Sequence, residues 1–385
     1  MAVTRFTPQR YQLKKEAVTV VLNRHPWIFR DHLSTAVQAF QPGQWLALYD
    51  HRNVIVGYGI YESDGAIGIR VLRFGSQPPN KAYFQKLISR ALDRRKELRT
   101  YTNAFRTIHG ENDGLPGIVL DVYGDTGVLQ TYAQSVDSLG RYVAGMLFSE
   151  LGLKNLIWKY PTKRKRKHDN KFRILRGTLP QLKRITEGKM ALFVDISSGQ
   201  KSGAFLDLRG LRKYLNLENL RGKRVLNLFS YTGTLGLAAE IAGASYIRHV
   251  DVSRGALEFT KKHHAINAKK HEHICADVFS WLRRQTGGTY DCIIVDPPQM
   301  ASLSSQVPTA LKAYRQLYRN LRPLLASHPI VIACCCTSRI TRSVFRRETD
   351  KNLSFLKRIR ELGPEDDHPV SFPQGDYLKI LIYKK

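Results

Sequence analysis

The hydrophobic rhythm of the chain changes about halfway along. Up to residue 74 the apolar positions fall in short β-branched and aromatic runs: VTVVLN (18–23), WLALYD (45–50), VIVGYGIY (54–61) and IGIRVLRF (67–74). Turn residues separate them, the pattern of short strands in a small barrel or sandwich. AYFQKLISRALDRRKELR (82–99) then carries apolar residues at helical spacing with a basic opposite face. Strands are expected over 105–135 around ENDGLPG and YGDTG, a helix over 138–152, and a strand at NLIWKY (155–160).

From about residue 186, nearly continuous apolar strands alternate with helices. The series runs RVLNLF (224–229), a helix from Thr234, YIRHVD (246–251), a helix over 254–268, HICAD (273–277) and a helix at 278–285. It continues with YDCIIVD (290–296), a helix at 308–326, PIVIACC (329–335) and a closing strand YLKILIY (377–383). Buried strands alternating with helices imply a parallel α/β sheet covered on both faces. The expected division is therefore 1–74, β-rich; 75–185, α+β; and 186–385, α/β.

Charge adds a partner to this picture. Lys and Arg number 61 against 32 acids, a formal net charge of +29. Such a surplus repels itself unless a polyanion is met, and nucleic acid is the leading candidate. The densest run, KRKRKHDNKFR (163–173), cannot pack and is expected as an exposed loop. Trp158, Tyr160 and Phe172 flank it, and aromatics stack on bases. Lys163, Arg164, Lys165, Arg166 and Lys167 are thus candidate RNA contacts, a solvated loop being the alternative. No apolar stretch is long enough to span a bilayer, and MAVTRFTPQR lacks a signal core. The five cysteines show no CxxC pair and no metal-ligand spacing, so a reducing compartment, the cytoplasm, is expected.

Ligands of open α/β sheets bind at the carboxyl ends of the strands. The first strand is followed by Phe229-Ser230-Tyr231-Thr232-Gly233, in which Gly233 permits a tight turn. The second ends in Asp251, suited to a ribose diol; the third in Asp277, suited to an exocyclic amine; the fourth in Asp296-Pro297-Pro298. Each acid could instead cap a helix. Three in register beside a glycine-bearing loop describe a nucleoside-sized ligand, and without a phosphate loop that ligand is S-adenosylmethionine (SAM).

The fifth strand runs into Cys334-Cys335-Cys336-Thr337-Ser338, beside the Asp296 loop. A thiolate that adds to carbon 6 of a pyrimidine makes carbon 5 nucleophilic, which is covalent catalysis by an activated cysteine. Cys336, outermost, is best placed to leave the core, with Asp296 on the base edge; the other cysteines read as packing thiols.

At these residues the sequence resembles the large-subunit (23S) ribosomal RNA methyltransferase I family, which makes 5-methylcytosine. The likeness rests on NRHPWIF (23–29), GENDGLPGIVLDVYGD (110–125), VDISSGQKSGAFLDLR (194–209), VLNLFSYTG (225–233), DPP (296–298), Cys336 and DHPVSFPQGDYLK (367–379). It implies a PUA-like RNA-binding barrel over 1–74, an α+β linker domain over 75–185, and a class I, Rossmann-like SAM-methyltransferase over 186–385. It also places the nucleophile at Cys336 and the cofactor loop at Phe229–Gly233. With Asp251, Ser253, Asp277, Val278, Asp296 and Pro297, that loop completes the expected SAM contacts. Gln299 stands where the family usually has Lys after Asp-Pro-Pro, and two cysteines precede Cys336 where a serine is usual. Of the remaining blocks, 199–209 reads equally as a flap over the SAM pocket or a hairpin capping the sheet. His25-Pro26-Trp27 reads as a core anchor with Trp27 buried, and Glu365–Pro369 as a loop rather than a source of the base. Uridine C5 methylation uses the same thiolate logic and stays open, as does a non-catalytic, SAM-retaining RNA-binding factor. A homodimer is compatible with the sequence.

Overall fold

The computed structural model describes residues 7–160, 172–197, 204–263, 270–285 and 287–385. They form two compact units: the chain up to Lys183 with Asp366–Phe372, and Arg184–Glu365 with Pro373–Lys385.

The first unit opens on β1 (Gln9–Gln12), α1 (Lys15–Leu22), β2 (Trp27–Phe29), β3 (Trp45–Tyr49), β4 (Ile55–Tyr61) and β5 (Ile67–Phe74). The five strands make one sheet in the order β1-β3-β4-β5-β2. VTVVLN, expected as a strand, lies largely within α1. Its buried positions are Ala17, Val18 and Val21, a helical spacing that the run of valines conceals. Trp27 is half-buried, not buried, because its indole N–H reaches out to Glu111 Oε1 (2.6 Å) and its ring meets the edge of Phe372. A second sheet follows from α2 (Lys81–Arg94), α3 (Leu98–Tyr101), β6 (Ala104–His109), β7 (Ile118–Tyr123), β8 (Thr126–Thr131), α4 (Asp137–Glu150), β9 (Asn155–Lys159) and β10 (Phe172–Arg176). Its order is β10-β9-β8-β7-β6. Ile60 and Leu72 of the first sheet join its core with Phe84, Leu120, Val143 and Trp158, so the two sheets share one interior. Asp366–Phe372 docks there as well: Asp367 accepts from the Arg106 N–H, and Ser371 N–H donates to Asn112. Asp367 and His368 are buried in this unit, as parts of its packing.

The second unit begins with the hairpin of β11 (Lys183–Glu187) and β12 (Met190–Val194), then α5 (Arg209–Leu217). Next come β13 (Arg224–Leu228), α6 (Thr234–Ile241), β14 (Tyr246–Asp251), α7 (Arg254–His263), β15 (His271–Cys275) and α8 (Val278–Arg283). β16 (Tyr290–Val295), α9 (Val307–Leu321), β17 (Leu325–Cys335), α10 (Arg342–Asn352), β18 (Lys357–Leu362) and β19 (Lys379–Lys384) complete it. The seven-stranded sheet runs β15-β14-β13-β16-β17-β19-β18, parallel from β15 to β17 and antiparallel at β19. α8, α9 and α10 cover one face with Val278, Tyr314, Leu317 and Phe345. α6 packs on the other, so closely that a Cβ at Gly236 would lie 2.3 Å from the buried His249 ring. The strand order reverses between β13 and β16, and a crevice opens beyond the carboxyl ends at such a point. No described helix is long and apolar enough to cross a membrane.

Candidate functional site

Five parallel strands end along one edge of the sheet, and the expected site residues of this unit follow those ends. After β13 the backbone turns through Phe229 (φ 57°), Tyr231 (φ 47°) and Gly233 (φ 73°). Left-handed conformation in two bulky residues costs about 1–3 kcal/mol each, so the surroundings must impose it. They do: Tyr231 N–H donates to Asp251 Oδ2 (2.8 Å), Thr260 Oγ1 to the Tyr231 carbonyl (3.1 Å), and Gly233 N–H to the Ser230 carbonyl (2.8 Å). A Cβ at Gly233 would meet Thr260 Cγ2 at 2.2 Å, so packing behind the loop, besides the turn itself, requires glycine. Phe229 packs edge-on to Phe279, and Tyr231 to Phe205 from the block preceding the sheet. Burial and the Asp251 and Asp195 charges push the Tyr231 hydroxyl up to about 12, so it stays protonated at neutral pH.

Asp251 holds the loop with one oxygen and Ser253 N–H (2.8 Å) with the other. A carboxylate offers about four acceptor positions. Two remain for a diol. Val252, next in the chain, is 73% exposed although apolar, a surface suited to a purine ring. Sequence reading passed over it; the signal was an apolar residue directly after a strand-terminal acid. Asp277 caps α8 through Ser280 N–H (2.9 Å), so the capping alternative is realised there while the residue stays exposed. The Val278 side chain is buried in the core, leaving its backbone as the part that could face a ligand.

Register places Val295 against Ala333, so Asp296 and Pro297 fall beside the tip of β17. Cys334 is fully buried; burial pushes its thiol well up, with the Asp296 charge as the next cause. Cys335 faces the opposite core near Tyr314, and burial likewise pushes Cys292 up to about 12. Cys275 is exposed at the end of β15, its sulfur 3.6 Å from the Val252 carbonyl. Cys336 is half-buried, and its Sγ lies 3.5 Å from the Pro297 carbonyl oxygen. Thr337, fully buried, accepts from Met300 N–H (3.2 Å) and so ties the strand tip to the Asp296–Met300 loop. Gln299 is exposed and donates to the Ala301 carbonyl. Lys163–Lys167 and Gly199–Gly203 lie outside the described residues.

These features fit SAM. The loop is held in a strained shape with the Ser230 hydroxyl buried and unpartnered, and Asp251 retains acceptor capacity. Comparison with known proteins decides the family. A model of S-adenosylmethionine-dependent methyltransferases matches residues 160–384, and a PUA-like domain matches 12–74. The ribosomal RNA large subunit methyltransferase I of Pseudoalteromonas atlantica is 30% identical, covering 94% of this chain and 96% of its own. That of Shewanella denitrificans is 31% identical, covering 97% and 98%.

The chain belongs to the ribosomal RNA large subunit methyltransferase I family of S-adenosylmethionine-dependent methyltransferases.

Its cofactor is therefore SAM. A methyltransferase crystallised with SAH shares its fold at a TM-score of 0.85, with 23% identity over 98% of this chain and all of that one. A SAM-dependent methyltransferase from Streptococcus mutans does so at 0.83, with 23% identity over 98% and 100%. For this methyltransferase the PUA-like domain over 12–74 and the C-terminal seven-stranded α/β sheet agree with the fold class that the family resemblance implied.

Proposed function

We propose that this methyltransferase forms 5-methylcytosine in ribosomal RNA of the large subunit, with Cys336 as nucleophile. The observation that carries it is the half-buried Cys336 sulfur at the tip of β17, beside Asp296-Pro297 and one strand from the cofactor loop. In this reading Phe229, Ser230, Tyr231, Thr232 and Gly233 cradle SAM with Asp251, Ser253, Asp277, the Val278 backbone, Asp296 and Pro297. Bound there, SAM supplies an electrophilic methyl group on a sulfonium. The Cys336 thiolate adds to carbon 6 of the base, and carbon 5 becomes the nucleophile. Asp296 holds the N3/C4 edge and steadies the charge that builds there. After methylation a base removes the carbon 5 proton, the C–S bond breaks, and the thiolate is released. Residues 1–74 and 75–185 hold the RNA, and 186–385 carry the chemistry. Relatives named for ribosomal RNA, the +29 charge and a PUA-like barrel all support a cytoplasmic RNA substrate.

Ribosomal RNA tritiated at carbon 5 of cytosine or of uridine tests this with the full chain and SAM. Release is expected from the cytosine label only, and Cys336→Ala should abolish it without changing SAM affinity. Release from uridine would move the activity to that base. Full turnover by Cys336→Ala would remove the thiol from the chemistry.

A further inference from the structure

Lys379 opens β19 with its side chain fully buried, a costly place for an ammonium. Its Nζ donates to the Thr337 carbonyl (2.9 Å) and to the Tyr377 carbonyl (3.2 Å), and among the described residues it makes no ion pair with a carboxylate. Asp376, the nearest acid on its own segment, is already held by Arg342 at 2.7 Å. An apolar side chain would fill this position more cheaply, as Ile380 and Leu381 fill the next two. The buried charge therefore serves something beside it. Two thiols lie beside it: Cys335 stands opposite Lys379 in the β17–β19 register, and Cys336 is the next residue along. Cys335 is sealed in the core; Cys336 is partly open and one peptide group from the carbonyl that Lys379 grips.

We propose that Lys379 is a positioning residue for the methyltransferase nucleophile: its ammonium fixes the Thr337–Ser338 peptide, next along the chain from Cys336, and stabilises the Cys336 thiolate electrostatically. The inference rests on Cys336 being the nucleophile. Thr337 transmits the grip, since its carbonyl takes the lysine while its hydroxyl takes Met300 N–H. Other charged or titratable groups surround the thiol. Asp296 follows β16 beside the tip of β17, where its carboxylate opposes a second negative charge, while burial keeps Tyr314 on α9 and Cys334 protonated and neutral. Arg342 on α10 is neutralised by Asp376 and Glu361. Among the described residues, Lys379 is the buried cation on the strand beside this tip. Burial draws its own pKa down from the usual lysine value, while the Cys335 and Asp376 charges work against that fall.

The test is alkylation of the full chain with iodoacetamide across about pH 6–10, followed at the Cys336 peptide by mass mapping. The wild-type midpoint is expected below the ordinary thiol value of about 8.5. Lys379→Met should raise it by about one pH unit or more, and Lys379→Arg should restore most of the shift. SAM binding confirms that each variant is folded. A wild-type midpoint at or above about 8.5 overturns the proposal even if Lys379→Met does not fold. An unchanged profile in folded Lys379→Met overturns it too. The chemistry is judged separately: turnover by Cys336→Ala would sink the nucleophile while leaving a low, Lys379-dependent midpoint intact.

Discussion

At the scale of single residues, the first unit concentrates its unusual electrostatics around His109. Arg95, fully buried, makes a two-pronged contact with Asp113 (2.9 and 2.7 Å) and donates to the Asp367 carbonyl. Asp113 also takes the His109 N–H, and the His109 ring lies 5.0 Å from that of His368. Burial pushes the His109 pKa far below the ordinary 6.5, helped by the Arg106, His368 and Arg95 charges. The consequence for stability has a definite sign. Below about pH 6.5 the unfolded chain takes up a proton that the folded one refuses, so stability is full above that value and falls as pH drops below it. The folded value lies far lower, so the loss continues to accumulate through pH 5. Urea unfolding at pH 7.5, 6.5 and 5.5 should show the decline below 6.5, and His109→Gln should flatten it while lowering stability at pH 7.5. An equal decline in His109→Gln would assign the effect elsewhere.

At the scale of elements, the β11–β12 hairpin is fixed to α5 by an ionic lock. Glu187 is fully buried and accepts from Arg212 Nε (2.6 Å) and Nη2 (2.7 Å), with Arg209 Nε 3.6 Å away. Arg212 also donates to the carbonyl of Phe205, whose ring packs on Tyr231 of the proposed cofactor loop. Removing one partner of such a cluster leaves buried charge uncompensated, at about 3–5 kcal/mol. Glu187→Gln should therefore lose about that much in denaturant unfolding and, through Phe205, weaken SAM binding; a loss well under 1 kcal/mol would mean the guanidiniums find water. The sequence did not display this lock, because the charges that meet lie about 25 positions apart. The hairpin, α5, α10 and β18 were missed for a related reason: charged residues interrupt their apolar pattern, as in RGLRKYLNL and KRIREL. The buried strands β13, β16 and β17 were legible because both their faces are covered and they read as nearly continuous apolar runs. The same logic exposed the strand-end acids Asp251, Asp277 and Asp296. It could not expose Lys379 or Thr337, whose roles depend on an antiparallel strand that enters the sheet from the far end of the chain.

At the scale of the whole molecule, the question is where the +29 charge goes. Many arginines are committed internally: Arg70, Arg95, Arg106, Arg209, Arg212 and Arg342 all face carboxylates. The surplus therefore falls on other basic side chains, and the densest supply of these is Lys163–Lys167. Changing those five to Gln takes the formal charge from +29 to 29 − 5 = +24. Affinity alone would not separate a lost phosphate contact from a misplaced RNA, because both weaken binding. The salt dependence does separate them, since it counts the ions released. Each phosphate contact contributes about 0.7 for a single strand or 0.9 for a duplex to the slope of log K against log salt. The five-fold variant should therefore bind ribosomal RNA more weakly and with a slope shallower by one such increment for every contact removed, while SAM affinity stays constant. Weaker binding at an unchanged slope would make the run a steric element of the RNA site. Unchanged binding and slope would return it to solvent and move the polyanion to the basic face of α2, where Lys86, Arg90 and Arg94 follow at helical spacing.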